Sequence, residues 1–360
     1  MIYEGGIALK TLNELLKLTV EKKASDLHIT VGLPPILRIN GKLNILNKEE
    51  IILPEDSSKY AKKILDDDYE KYLKIGEYDK SYSISGVGRF RVNVYRQRGS
   101  DAIAIRVVEL KIPSLKELNL PMVIKDLLEN KRGLILVTGP TGSGKSTTLA
   151  SMINEINETR SEHIITLEDP IEYVHKHNKS IINQREIGKD CSSYKDALKS
   201  ILREDPDVIL IGEMRDLETI STAITAAETG HLVLSTLHTI GAAKTIDRIV
   251  DVFPDHQQQQ IKIQLSGVLQ GIISQQLLSK KDGKGRVAAL EIMTATPGIQ
   301  NLIREGKTHQ IQSLVQTGSK YGMKTMDMSI EDLYKQGIIS YDVAIASCVD
   351  REFMTKMLVL

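Results

Sequence analysis

The chain has 360 residues, 47 basic and 47 acidic, so its formal net charge is zero, and 41% of its residues are hydrophobic. That length allows two domains with separate cores, and the balanced charge supplies no global attraction to nucleic acid or anionic lipid. Two cysteines without a CxxC pair leave no structural zinc site and no disulfide framework, and no apolar stretch approaches the length of a membrane span.

The amino terminus lacks the basic start, apolar run and small-residue cleavage site of a signal peptide, so a cytoplasmic, reducing compartment is expected. Residues 8–22 read as an amphipathic helix, with Leu9, Leu12, Leu15, Leu16 and Val20 on one face. Strand-like runs follow at 26–30 and 36–39, and Asn40-Gly41 is a hairpin signal. A polar helix is expected over 57–73. Residues 82–84, 89–96 and 102–108 alternate like neighbouring antiparallel strands. This region is α+β and contains no phosphate loop.

Arg89, Arg91, Arg96, Arg98 and Arg106 crowd its end, with Arg91 and Arg106 each inside an alternating strand. Three uses fit them: solvated charge, contact with a nucleic-acid backbone, or arginine fingers reaching the phosphates of a neighbouring subunit. The last implies a ring with shared sites. Absent Trp and only three Phe leave little base-stacking surface. Residues 111–121, bracketed by prolines, read as a linker. The expected organisation is a first domain over 1–112, a linker over 113–121, and a second domain over 122–360 with a helical part from about 285.

The second region alternates strand and helix like a wound parallel sheet. After the apolar run 134–137 comes Gly139-Pro140-Thr141-Gly142-Ser143-Gly144-Lys145-Ser146, the pattern of a phosphate-binding loop between a strand and a helix. Its glycines let backbone N–H groups close around a phosphate. Lys145 aims a point charge at the β- and γ-phosphates, Ser146 offers a hydroxyl to Mg²⁺, and the helix adds its positive end. Thr147 follows on that helix and is counted with the loop.

Further along, 163–167 reads as a strand, then Glu168-Asp169-Pro170-Ile171-Glu172 places three acids past its carboxyl end, where ligands bind in such sheets. They are either solvated loop charge or groups that organise Mg²⁺ and water. Residues 208–211 are apolar and run into Gly212-Glu213. In many phosphate-loop enzymes the strand beside the loop strand ends in an Asp, and Gly212 takes that place here. Glu213 can orient, or take a proton from, the water that attacks a γ-phosphate. The bland alternative is a surface glutamate. The strand 232–237 has His231 at its start and His238 at its carboxyl end, so His238 can sense phosphate and His231 reads as structural. No two histidines have metal-ligand spacing. From about Asp255 onward the pattern is mostly helical, with Gln257 to Gln260 inside it.

These boxes resemble those of the secretion ATPase superfamily of type II secretion and type IV pili. The similarity runs from Ala24-Ser25-Asp26-Leu27-His28 through the phosphate loop, the acidic box at 167–173, residues 202–216 and the histidine box at 229–239. Residues 301–311 and 322–327 resemble the C-terminal signature of the pilus-retraction branch. The short first region and the missing four-cysteine zinc module point the same way. Gly298-Ile299-Gln300-Asn301 departs from the Ala-Ile-Arg-Asn of that signature. The resemblance implies an α/β fold, with a RecA-like P-loop ATPase domain preceded by a smaller α+β PAS-like domain. It further implies a homohexamer that hydrolyses ATP with Mg²⁺ and drives pilus retraction. Such a ring docks at the cytoplasmic face of the inner membrane through a pilus platform protein, without nucleic acid or zinc. Carried over, Lys145 and Ser146 bind phosphate and Mg²⁺, Glu213 is the catalytic acid/base, and Arg91 and Arg106 reach the nucleotide. Glu168 and His238 complete the candidate catalytic set. The competing expectations are an extension or secretion motor, a RecA-like nucleic-acid motor, and a nucleotide switch without turnover.

Overall fold

A computed structural model describes residues 9–39, 41–84, 86–108 and 111–359. It divides into two compact units, Met1–Lys111 and Ile112–Leu360.

In the first unit, α1 (Leu12–Glu21) opens on a capping box in which Thr11 and Glu14 exchange side-chain-to-backbone hydrogen bonds. It buries Leu12, Leu15 and Leu16. β1 (Asp26–Ile29) and the hairpin of β2 (Ile36–Ile39) and β3 (Lys42–Ile45) follow. Ile39 pairs with Lys42, which leaves a two-residue turn. Gly41 takes φ +80° there, and Asn40 lies outside the described residues. The polar helix expected over 57–73 is two helices, α2 (Pro54–Leu65) and α3 (Tyr69–Ile75), parted by a 3₁₀ turn at Asp66–Asp68. Pro54, preset for the first helical position, moves the start forward. Asp66 at φ +50° ends the first helix. β4 (Glu77–Ile84), β5 (Gly88–Gln97) and β6 (Ser100–Val108) complete an antiparallel sheet in the order β3-β2-β1-β6-β5-β4. Along β5, Phe90, Val92 and Val94 are buried against the helices while Arg91 faces out.

The second unit begins with residues packed on its own core. Leu115 is buried, and Ser151 Oγ donates to the Pro113 carbonyl at 2.6 Å. Then come α4 (Met122–Leu128), β7 (Gly133–Thr138), α5 (Lys145–Thr159), β8 (His163–Glu168), β9 (Ile181–Glu186) and α6 (Tyr194–Ile201). β10 (Val208–Ile211), α7 (Leu217–Glu228), β11 (Leu232–Leu237), α8 (Ala242–Asp251) and α9 (Asp255–Val268) continue the alternation. β12 (Leu269–Ser279) and β13 (Arg286–Thr294) form a hairpin. The unit closes with α10 (Pro297–Glu305), α11 (Ile311–Thr317), α12 (Met326–Lys335), α13 (Tyr341–Ser347) and α14 (Arg351–Val359). The sheet runs β13-β12-β7-β11-β10-β8-β9, parallel throughout except for β13 at one edge. The fold is α/β with a parallel sheet. Leu134 and Leu136 of β7 feed one core and Ile135 and Val137 the other, so helices cover both faces.

Two expectations are corrected. The helical stretch anticipated from Asp255, and the helical part from about 285, are interrupted by β12 and β13. The Ile272-Ile273 pair is fully buried in the sheet, and α9 passes into β12 at Val268–Leu269 with no turn between. The strand that leads to Glu213 is also not beside the loop strand. β11 lies between β7 and β10, and it brings His238 between the loop and Glu213.

Candidate active site

Four parallel strands, β7, β11, β10 and β8, deliver their carboxyl ends to one edge of the sheet. The loop after β7 reaches it through three glycines with positive φ: Gly139 (+143°), Gly142 (+77°) and Gly144 (+90°). Gly139 N donates to the Leu237 carbonyl at 3.3 Å, which ties the loop to the end of β11. Thr141, Gly142 and Ser146 are exposed, whereas Ser143 and Lys145 are buried. The Ser143 hydroxyl is buried with no hydrogen-bond partner. Thr147 Oγ1 lies 2.9 Å from the Tyr173 hydroxyl, joining the first turn of α5 to the acidic loop. Pro140 contributes its carbonyl. Lys145 Nζ donates to that oxygen at 3.1 Å and to Gly139 O at 2.9 Å.

Lys145 Nζ also lies 3.5 Å from His238 Nδ1, and His238 Nε2 lies 3.4 Å from Glu213 Oε2. Because Lys145 can only donate, Nδ1 is the nitrogen placed to accept from it, and Nε2 is the nitrogen that faces the carboxylate. Lysine, imidazole and carboxylate therefore form one line across three strands. Burial lowers the Lys145 ammonium from its usual range, and the charges of Glu213 and Glu172 oppose that shift. The second oxygen of Glu213 accepts from Arg215 Nη2 at 2.7 Å.

Gly212 has a packing reason. A Cβ there would lie 2.9 Å from the Tyr194 hydroxyl and 3.2 Å from the Leu167 carbonyl. Burial pushes that tyrosine's pKa up. Glu168 ends β8 next to this glycine. Its Oε1 accepts from Thr166 Oγ1 at 2.7 Å and Gln184 Nε2 at 3.1 Å, and burial raises its carboxyl. Its hydrogen bonds come from β8, β9 and the Glu172 backbone of the acidic loop, not from the line of Lys145, His238 and Glu213. His231 stands at the other end of β11, its Nδ1 2.9 Å from the Ala226 carbonyl. Among the described residues no cluster of three His, Cys, Asp or Glu is arranged to hold a metal ion.

Arg91 and Arg106 belong to the first unit. They are direct partners across β5 and β6, and both are exposed. The row continues to Asp26 on β1 and Arg38 on β2. Asp26 Oδ1 accepts from Arg106 Nε at 2.9 Å, and its Oδ2 is 3.7 Å from Arg38 Nε. Burial works to raise the Asp26 carboxyl, but hydrogen bonds from Ser25 and Arg106 outweigh it and hold the group below its usual range. Even so held, the Arg106 side chain stays 71% exposed.

Sequence reasoning did not single out Arg215, Tyr194 or Gln275 as parts of the site. Gln275, on β12, carries no motif signal, but a buried glutamine in an apolar strand needs a hydrogen-bond partner. Its partners are the phosphate loop and α5.

Residues 89–345 match the family described as Type II/IV secretion system protein. The chain is 48% identical over 341 residues to a type IV pilus retraction ATPase, PilT, of Pseudomonas aeruginosa, covering 92% of this chain and 96% of the relative. It is 46% identical over 354 residues to a twitching motility protein of Neisseria gonorrhoeae, covering 98% and 94%. A crystal structure of the pilus retraction motor PilT with bound ADP superposes with a TM-score of 0.91 at 51% identity, covering 96% of this chain and 99% of that one.

Proposed function

Because the chain belongs to the type II/IV secretion system protein family, we propose that it is an ATP-hydrolysing motor that powers type IV pilus retraction. The observation that carries this reading is near-full-length similarity to relatives named for retraction and twitching. The meeting of phosphate loop, Lys145, His238 and Glu213 at one sheet edge supports it.

The nucleotide's phosphates lie against backbone N–H groups of the loop, among them those of Gly142, Gly144 and Lys145, and against the start of α5. The unpartnered Ser143 hydroxyl and a lysine bonded to loop carbonyls fit such an occupant. Lys145 exchanges those carbonyls for phosphate oxygens. Water attacks the γ-phosphorus, the bond to the bridging oxygen of ADP breaks, and Glu213 takes the water's proton. His238 spans Lys145 and Glu213, so a phosphate that draws Lys145 away is felt at the carboxylate through one ring. Ser146 would hold Mg²⁺, which neutralises phosphate charge. Glu168, bonded to β8, β9 and the Glu172 backbone, shapes the acidic loop. Arg91 and Arg106, on a first unit read as PAS-like, supply charge to a neighbouring subunit's transition state in a homohexamer. The ring works at the cytoplasmic face of the inner membrane through a platform protein. No helix among the described residues is long and apolar enough to cross a membrane.

Deleting the gene should leave cells with surplus pili that do not retract, and bald cells would overturn the reading in favour of extension. In the purified protein, Glu213→Gln should lower ATP turnover by about 100-fold or more while ADP still binds. Unchanged turnover would remove Glu213 from the chemistry.

A further inference from the structure

Gln275 lies in the middle of β12, 3% exposed, beside the loop strand. Its side-chain carbonyl accepts from Thr148 Oγ1 on α5 at 2.8 Å. Its amide donates to the Ser143 carbonyl of the phosphate loop at 2.6 Å. Both ends of one amide are thus spent on the two segments that must cradle a phosphate, and its own main chain crowds the loop as well. A Cβ on Gly139 would lie 2.3 Å from the Gln275 carbonyl oxygen, and one on Gly144 would lie 2.8 Å from Gln275 Nε2. Gly142 has no atom within 4 Å of where its Cβ would be. Two of the three loop glycines are therefore small because Gln275 is close, and the third answers to backbone conformation alone.

We propose that Gln275 is a positioning residue for ATP binding, a brace that fixes the phosphate loop to the start of α5 before nucleotide arrives. The proposal rests on the reading of this loop as the nucleotide site. The Gly144 N–H shares a trans peptide plane with the Ser143 carbonyl and points the opposite way, so it can face phosphate only if that carbonyl points away, and the Gln275 amide holds it pointing away. Without the brace, that carbonyl is buried without a donor and the loop turns to find one. Nucleotide must then pay to reorder the loop, which weakens binding without touching Glu213 or His238.

The test compares full-length wild type, Gln275→Leu, Thr148→Val and the double variant by ADP binding and steady-state ATPase kinetics. Gln275→Leu keeps the size but loses both hydrogen bonds. It should weaken ADP binding and raise KM for ATP by about 10- to 100-fold, with kcat within about threefold of wild type. Thr148→Val should weaken binding less, and the double variant should be no worse than Gln275→Leu, because the two share one interaction. A fault in folding would instead lower the active fraction, and so apparent kcat, at unchanged KM. If Gln275→Leu does not fold, Thr148→Val alone must still raise KM. An unchanged KM in the folded variants, or losses that simply add, would overturn the brace. Wild type that binds no ADP would sink the nucleotide reading itself.

Discussion

His175 follows the acidic loop, and its Nδ1 is buried with no hydrogen-bond partner. Burial pushes its pKa down from 6.5 to about 4. The folded protein therefore binds a proton at this ring less readily than the unfolded chain does. Stability from this group is intact above pH 6.5 and is lost as pH falls toward 4. Relative to His175→Gln, wild type should lose up to about 3 kcal/mol across that window, measured as diverging denaturation midpoints. Parallel midpoints would show that the ring is solvated. Lys145, Glu213 and His238 were legible in the sequence because their spacing from strand ends fixes where they emerge. Arg215, Tyr194 and Gln275 were not. Their parts come from contacts across strands, and nothing local to Gln275 announces that its amide faces residues more than 120 positions earlier.

The phosphate loop and β12 work as a pair of elements. Gly142→Ala meets no neighbour and should cost only the strain of a positive φ, about 1 kcal/mol, with ADP affinity falling little. Gly139→Ala drives a Cβ into a main-chain oxygen that cannot swing aside. It should abolish measurable ADP binding or lower the folded yield. Equal effects from the two would disprove the crowding. The parallel strands β7, β8, β10 and β11 could be read from apolar runs at regular spacing. β9 is an edge strand with only Ile181 and Ile182 apolar before polar residues take over, so its composition hides it. β12 was hidden differently: polar Ser274 and Gln275 break its apolar run, yet both are buried and bonded.

At the scale of the whole molecule, the candidate catalytic groups are split between two units. Lys145, Glu168, Glu213 and His238 lie in the second, and Arg91 and Arg106 in the first. If the arginines serve a neighbour's site, Arg106→Ala and Glu213→Gln should each be nearly inactive alone. Mixed assemblies of the two should recover turnover, because some interfaces then hold a complete set. No recovery on mixing would mean that each chain supplies its own arginines. The arginines of the first unit suggested a ring with shared sites, and the resemblance alone supplied six as its number, which no residue spacing within one chain can encode.

The seating of β7 between β11 and β12 also has a consequence for synthesis. The first unit's sheet is complete once Val108 has been made, so that unit can fold while the rest is translated. The phosphate loop leaves the ribosome early but has no brace until β12 follows, roughly ten seconds later at about 5–20 residues per second. A chain ending at Val268 would carry the loop, Glu168, Glu213 and His238, yet lack the strand that flanks β7 on one side. It should fail to retain ADP, and retention would show that the loop takes shape before its neighbour is born.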